Sequence, residues 1–588
     1  MSAVSYPNVN TLWAEIFVEE LAAGGVDAAC ISPGSRSTPL TVAFAEHPDI
    51  RVYSHLDERS SAFFALGRAR RTGRPTPLVC TSGTAAANFH PAVVEANQSG
   101  VPMLLLTADR PPELTDSGAN QTIDQERLYG DAVRWYRDMP EPEAQARTVR
   151  MLRTTMARAL SETVGSDPGP VHLNCRFRKP LEPTERVDEG PDSVPEDWAD
   201  GDELAAGGRD GPFVETAQGR AALSETDRAR VVDAIDAAER GLLVAGPADH
   251  GGGSEGIAAL ADATGFPVLA DPLSDCRFGS HVGTVTVCGG YDAYVGAGVV
   301  PEPDVVVRFG ASPTSKPLRH YLRDADCRQF VVSASGDWSE ATFTASDLLV
   351  ADPGATAVAL ADDVSDGCEP AWTERFRAAE TAHWETVRSA LDGEYWEGGV
   401  LADVTRLVPD PATVFVSNSM PVRDLDRFGR PRAADLTVLG NRGASGIDGI
   451  TSTALGAGSA TDDPLVLVTG DLAYYHDMNG LLALGRCGVD ATIVLLDNDG
   501  GGIFHMLPIE DHDTFESQFK TPHGLDFEPT GALYGLEFVR ADGREQLLEA
   551  FESSVGSGGT QVIAAEFDAE RSHARRAELE RRVAERLR

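Results

Sequence analysis

The sequence predicts an α/β protein of three doubly wound, mostly parallel sheets. Three observations carry this. Apolar runs of strand length recur along the 588 residues, and each stops at a polar or glycine-rich turn. The segments between these runs are helical patches long enough for the crossovers that parallel strands need. One stretch rich in Asp, Glu, Gly and Pro separates the first series of strands from the rest, and the length itself asks for several domains. The expected organisation is a first domain over 1–182, an acidic, exposed linker over 183–225, a middle domain over 226–370 and a last domain over 371–588.

In the first domain, residues 11–25 read as an amphipathic helix through Leu12, Ile16, Phe17 and Leu21. Strands follow at 26–31, 51–54, 77–80 and 102–106, with another at 169–175. The first four end in the polar loops SPGSRSTPL, HLDER, TSGT and TADRPP. In a parallel α/β sheet such loops share one edge, where ligands bind. In the middle domain, strands are expected at 241–245, 267–270, 305–309, 329–333 and 347–351, with a helix at 256–264. Gly246-Pro247 and Gly251-Gly252-Gly253 are read as flexible turns in preference to a nucleotide loop. The last domain has strands at 413–416, 436–439, 465–468, 492–496, 535–539 and 561–567, a helical stretch at 476–486, and a surface helix from Ala569.

Composition sets the class. The net charge is -41, and only three of the 50 basic residues are lysines: Lys179, Lys316 and Lys520. That surface excludes general nucleic-acid binding, which needs basic patches. It fits a protein kept soluble in a salt-rich cytoplasm, where the Debye length falls to about 3 Å at 1 M. The eight cysteines are scattered without a CxxC pair and read as small core residues in a reducing compartment. No leader sequence is evident, and no apolar run approaches the roughly 18 residues of a membrane span.

The chemistry concentrates between Leu465 and Pro508. The strand at 465–468 stops at Thr469-Gly470-Asp471, and the strand at 492–496 stops at Asp497-Asn498-Asp499-Gly500. Asp471 and Asn498 are oxygen donors at adjacent strand ends. Mg²⁺ takes about six oxygens and usually shares them with a substrate's phosphates. Gly500, Gly501 and Gly502 let backbone approach a bulky anion. This spacing resembles the thiamine diphosphate motif, in which Asp471, Asn498 and the Gly500 carbonyl hold Mg²⁺ and the metal holds the diphosphate.

Further segments narrow the resemblance. SPGSRSTPL, HLDERSSAFFALG, TSGTAAAN, TADRPPEL, GANQTI, VHLNCRF, NSMPVRDLD, NRGASGIDG, GDLAYYHDMNGL and DNDGGGIF occur in this order. Together they resemble the 2-succinyl-5-enolpyruvyl-6-hydroxy-3-cyclohexene-1-carboxylate synthase family of thiamine diphosphate enzymes, over about residues 10–510 and most weakly in the middle. TADRPPEL with GANQ, and NRGASGIDG, are the segments narrowest to that family.

The resemblance implies decarboxylation of 2-oxoglutarate and conjugate addition to isochorismate, in menaquinone biosynthesis. It implies thiamine diphosphate with Mg²⁺, or Mn²⁺ in its place, and no FAD. It implies a cytoplasmic homodimer or homotetramer with active sites at subunit interfaces. Glu58 becomes the carboxylate against the cofactor pyrimidine. Ser419, Ile447, Gly470, Leu472, Asp471, Asn498 and Gly500 contact the cofactor or its metal, with Ile447 beneath the thiazolium. Ser35, Arg36, Arg110, Asn120, Gln121, Lys316, Ser419, Arg423 and Arg442 line the substrate side, and Phe504 and Leu507 give it an apolar wall. The arginines also suit the chemistry directly, because both substrates carry carboxylates and guanidinium binds carboxylate through two bonds. Another thiamine-dependent carboligase or decarboxylase is the alternative. The arginine set and the lack of a flavin signature speak against it.

The chain departs from the family at Asp497 and Asp499, where asparagines are usual, and at Tyr474 and Tyr475, which are bulky after Gly-Asp-Leu. Extra negative charge beside a diphosphate is expected to weaken cofactor binding.

Overall fold

The computed structural model describes residues 6–184, 186–195, 198, 202–248, 253–365 and 367–588, with the backbone alone for Glu203. Among the described residues, eighteen strands form three six-stranded sheets, and every pairing between these strands is parallel. The first sheet contains β1 (Ala28–Ile31), β2 (Arg51–Ser54), β3 (Pro77–Cys80), β4 (Met103–Asp109), β5 (Trp135–Met139) and β6 (Pro170–Arg176), in the order β2-β1-β3-β4-β6-β5. The second contains β7 (Gly241–Ala245), β8 (Val268–Ala270), β9 (Val287–Cys288), β10 (Val305–Phe309), β11 (Arg328–Ser333) and β12 (Asp347–Val350), ordered β12-β11-β10-β7-β8-β9. The third contains β13 (Ala412–Val416), β14 (Leu436–Leu439), β15 (Leu465–Gly470), β16 (Thr492–Asp497), β17 (Glu537–Arg540) and β18 (Gln561–Glu566), ordered β14-β13-β15-β16-β18-β17.

The strand orders fix where ligands can sit. In each sheet the winding reverses between two neighbours: β1 and β3, β7 and β10, β13 and β15. A crevice opens at such a reversal, beyond the carboxyl ends of the strands. The loop of Arg36 follows β1, the loop of Ser419 follows β13, and Asp471 directly follows β15. In the middle sheet the loops after β7 and β10 touch backbone to backbone. A Cβ on Gly246 would meet the Ala311 carbonyl oxygen at 1.8 Å, and one on Gly310 would meet the Gly246 oxygen at 2.6 Å. That crevice is filled by its own chain. Of the second glycine run, Gly251 and Gly252 lie outside the described residues.

The central strands are buried at every position because helices cover both faces of each sheet. β3, β4, β6, β7 and β13 are all continuous buried runs. This is why they are legible as unbroken apolar stretches. The strands that the sequence did not disclose are edge strands. β5 reads Trp-Tyr-Arg-Asp-Met and is mostly half-exposed, and β9 is two residues long.

The residues sort into two compact units. One holds 1–219, 452–461 and 479–488, with the first sheet. The other holds 220–451, 462–478 and 489–588, with the second and third sheets.

Three helices differ from expectation, and the linker differs in part. The first helix spans Val9–Ala23 and is buried on most of its surface, Glu20 included, so it is not a simple amphipathic surface helix. The acidic stretch after 183 supplies its cover. There a short helix, Glu203–Gly207, is capped by Asp202. Its Ala205 and Ala206 carbonyls accept from Arg153 at 3.0 and 2.9 Å, and the same guanidinium pairs with Glu20 at 2.5 Å. Glu20 also accepts from the Phe213 N–H at 3.0 Å. An exposed linker was expected because the stretch is polar. Most of its described residues are exposed, as expected; the part around Ala205 and Phe213 packs, where a buried arginine satisfies two carbonyls.

The last helix, Ala569–Leu587, buries Arg576, Leu579 and Val583, so it is more than a surface helix. The helix after β15 begins at Asp471, not near His476, and runs as Asp471–His476, with Leu482–Cys487 as a separate helix.

In the first unit, the helix Glu58–Thr72 meets the stretch 452–461 at van der Waals contact of backbones. A Cβ on Gly67 would lie 1.9 Å from the Thr453 carbonyl oxygen, and one on Gly456 would lie 1.9 Å from the Phe64 oxygen.

Candidate active site

The predicted metal residues converge in the second unit. β15 and β16 are hydrogen-bonded neighbours, so their ends place Asp471 beside Asn498. Asp471 is buried. One of its oxygens accepts from the Leu472 N–H at 2.6 Å. The other accepts from the N–H groups of Asn498 and Gly500 at 3.2 and 2.9 Å. The Asn498 amide nitrogen donates to Glu397 at 2.5 Å, which leaves Asn498 Oδ1 buried and without a hydrogen-bond partner. A buried acceptor without a donor is unfavourable unless a cation or donor arrives. Glu397 thereby engages the amide nitrogen and leaves the amide oxygen free to serve as a ligand. The donor set fits a hard divalent cation.

Gly500 makes this loop possible. Its φ is +134°, and a Cβ there would meet the Lys520 carbonyl oxygen at 2.0 Å. The two unusual aspartates take different roles. Asp499 turns outward and accepts from the His523 and Gly524 N–H groups at 2.9 and 2.8 Å. Those bonds, from Gly524 first, hold its carboxyl below the usual range. Asp497 stays close to Asp471. Burial first, and then the Asp471 charge, push its carboxyl up to about 6. Tyr474 is accommodated as core: it is fully buried, and its hydroxyl lies 2.9 Å from Thr530 Oγ1. Tyr475 is exposed.

Sequence reasoning missed His523. Its Nε2 lies 3.2 Å from Asp471, and Asp471, Asp497 and His523 bring one ligand atom each within 4.8 Å of one another. It belongs to a polar loop beyond the last matching segment, so only the fold reveals its position. Glu397 was missed too, because it sits about 100 residues before Asn498 with no motif around it.

The same unit gathers cations at the β13–β15 reversal. Ser419 precedes the helix Met420–Phe428 with φ +71°, a conformation unusual for a residue with a side chain. Its carbonyl accepts from Arg423 at 2.6 Å. Asn418 ties the loops after β13 and β14 together. It donates to the carbonyls of Asn441 and Gly446 at 2.6 and 2.7 Å and accepts from Arg442 at 3.0 Å. This fixes Arg442 and the half-buried Ile447 on one loop. Burial, and then Arg442, Arg427 and Arg319 in that order, lower the pKa of Arg423. Lys316 is exposed at the first turn of the helix Lys316–Asp324. Phe504 is half-buried against Phe519, with ring centroids 5.6 Å apart, and Leu507 is exposed.

The remaining predicted residues lie in the first unit. Glu58 opens its helix, with Asp57 as the cap, and is half-buried. Its charge helps to raise the buried Cys80 thiol at the end of β3, after burial itself. Arg36 is buried and donates to the Phe177 carbonyl at 2.7 Å, while its N–H donates to Thr81 at 3.2 Å. Burial and then Arg110 lower its pKa, so the two arginines share one locality. The Nε atoms of both are buried without a partner. Ser35, Asn120 and Gln121 are exposed. Gln121 is held by Ser82 through two hydrogen bonds of 2.9 and 3.1 Å. His55 is buried against the Phe64 ring and stays neutral, with burial driving its pKa down to about 4.

Comparison with known proteins gives the family and the fold. Residues 13–128 match the N-terminal TPP-binding domain of thiamine pyrophosphate enzymes, 210–416 their middle domain and 430–565 their C-terminal TPP-binding domain. A 2-succinyl-5-enolpyruvyl-6-hydroxy-3-cyclohexene-1-carboxylate synthase from Haloarcula marismortui is 73% identical over 586 residues, covering 99% of both chains. Synthases of the same name from Natronomonas pharaonis and a Roseiflexus species are 61% and 46% identical, over 99% and 98% of both chains. In fold, the chain is similar to a thiamine diphosphate-dependent 4-hydroxybenzoylformate decarboxylase from Rhodococcus jostii, with a TM-score of 0.69, 18% identity, and coverage of 95% of this chain and 99% of that one. The chain belongs to the 2-succinyl-5-enolpyruvyl-6-hydroxy-3-cyclohexene-1-carboxylate synthase family of thiamine pyrophosphate enzymes.

Proposed function

We propose that the chain catalyses the synthase reaction of its family: 2-oxoglutarate loses carbon dioxide, and the remaining four-carbon unit adds to isochorismate, as a step of menaquinone biosynthesis. The 73% identity to the Haloarcula synthase over the whole of both chains carries this reading. Thiamine diphosphate, when bound, supplies a nucleophilic carbon and an electron sink.

The chain's residues do the rest. Asp471, Asn498 through its buried Oδ1, and the Gly500 carbonyl offer oxygens to Mg²⁺, with Mn²⁺ as the alternative. Gly470, Leu472, Ser419 and Ile447 would contact the cofactor, Ile447 with a branched apolar side chain. Glu58 exchanges a proton with the pyrimidine nitrogen. Ser35, Arg36, Arg110, Asn120 and Gln121, together with Lys316, Ser419, Arg423 and Arg442, would line the substrate side, where the arginines and Lys316 would receive the substrates' carboxylates. Guanidinium matches carboxylate geometry bidentately and keeps its charge when buried. Phe504 and Leu507 close the pocket with apolar surface. The proposal includes domains at 1–182, 226–370 and 371–588. It also includes a homodimer or homotetramer with its active sites at subunit interfaces, working in a salt-rich cytoplasm.

The test is an assay at high KCl with thiamine diphosphate and Mg²⁺, supplying 2-oxoglutarate with and without isochorismate. The expected result is product and carbon dioxide in equal amounts when both substrates are present. Full-rate carbon dioxide release from 2-oxoglutarate alone, or from pyruvate, would replace the reading with a simple decarboxylase.

A further inference from the structure

The helix Lys316–Asp324 is tethered at its first turn. Ser315 caps it, accepting from the Leu318 N–H at 3.1 Å and donating to Asp292 at 2.7 Å. The buried Asp292 also forms an ion pair with Arg427 at 3.0 Å. Arg427 belongs to the helix Met420–Phe428, one turn after Arg423. Arg319 lies one turn after Ser315, with its N–H bonded to the Ser315 carbonyl at 3.2 Å. Residues one turn apart on a helix share a face. The single carboxylate of Asp292 therefore joins the start of one helix to the end of the other, and Arg319 and Arg423 lie one turn from the joined residues, close enough for the Arg423 charge to respond to Arg319.

Arg319 has no visible structural employment. Its Nε is buried without an acceptor, and among the described residues its guanidinium makes no hydrogen bond or ion pair. A buried donor without an acceptor, set beside like charge, is unfavourable in the free protein. It becomes favourable when an anion arrives.

We propose that Arg319 binds a carboxylate of a dicarboxylate substrate, as a further guanidinium beside Arg423 and Arg442. This rests on the carboligase reading above, whose two substrates, 2-oxoglutarate and isochorismate, carry two carboxylates each. A planar fork matches a carboxylate through two bonds, which an ammonium cannot do.

The test uses the full-length holoenzyme and the variants Arg319→Gln and Arg319→Lys, in steady-state assays that vary each substrate in turn. Thiamine diphosphate affinity is followed separately by tryptophan fluorescence. The expected result for Arg319→Gln is a rise of about tenfold or more in KM for at least one substrate. That rise exceeds any fall in kcat and any change in cofactor affinity, as loss of a binding contact requires. Arg319→Lys should recover part of the loss. Values of KM within about twofold of wild type for both substrates would overturn the assignment, as would a KM change matched by an equal loss of cofactor affinity, which marks a structural role. A wild-type protein that forms no product overturns the carboligase reading itself. An active wild type with an indifferent variant overturns Arg319 alone.

Discussion

Replacing Arg576 with methionine tests how the last helix is joined to the metal site. Arg576 meets Asp424 through two bonds of 2.7 and 2.5 Å and Glu397 through one of 2.5 Å. All three side chains are no more than 2% exposed. Methionine keeps much of the stem's volume but offers no donor, so two buried carboxylates lose their shared cation. Removing one partner of a buried ion pair costs about 3–5 kcal/mol, and two orphaned charges point to the upper end. The exposed pair Arg581–Glu585, on the same helix, is worth about 0.3–0.5 kcal/mol and serves as the control through Arg581→Met. A second effect follows from Glu397, whose other oxygen orients Asn498. Loosening an outer partner of a metal ligand weakens metal affinity by about 10–100-fold. The assay is urea unfolding in concentrated KCl, followed by circular dichroism, together with titration of Mg²⁺-dependent thiamine diphosphate binding. A loss under about 1 kcal/mol with unchanged Mg²⁺ dependence would refute the reasoning.

Other outcomes follow from the same geometry. Glu58→Gln should lower turnover by orders of magnitude with an unfolding midpoint close to wild type; near-normal turnover would remove Glu58 from the chemistry. Gly500→Ala places a methyl 2.0 Å from the Lys520 oxygen at φ +134°, so metal-dependent cofactor binding should fall by at least about tenfold, read by calorimetry. His172 sits between the rings of Tyr129 and Tyr136, 2.7 Å from Thr107, and burial lowers its pKa from 6.5 to about 3. Its stabilising contribution is complete above the unfolded pKa and is lost as pH falls below about 6.5, at up to about 1.4 kcal/mol per pH unit. His172→Gln should flatten the pH dependence of unfolding between pH 6 and 4 by one proton; an unchanged slope would show that His172 is not the group responsible.

The central strands were legible because both faces are covered, so their sequences run apolar without interruption. β2, β3, β7, β10 and β14 have the bounds expected from sequence. β5 escaped because an edge strand keeps half its residues polar. The linker is mostly exposed, as its polarity suggests; its packed helix was not legible because it depends on the guanidinium of Arg153, which lies in a distant helix. At the candidate site, Asp471, Asn498 and Gly500 stand at strand ends, where turn residues announce themselves. Glu397 and His523 are partners of Asn498 and Asp471 and carry no local pattern; only folding brings them near. The concern over Asp499 also needed the structure. Its carboxylate accepts from two N–H groups, those of His523 and Gly524, on a later loop of the chain.

The contact of Gly67 with Thr453, and of Gly456 with Phe64, has a consequence for how this protein can change over generations. Neither glycine can be replaced first, because any side chain at either position meets main-chain atoms that cannot swivel aside. Even a compensating change elsewhere gives no relief, since the obstruction is present in every amino acid. Drift can rewrite the acidic surface residue by residue, yet it has no single-step path through this crossing. The placement of Glu58, at the head of that helix, is therefore inherited as main-chain geometry and is insulated from the turnover of neighbouring side chains.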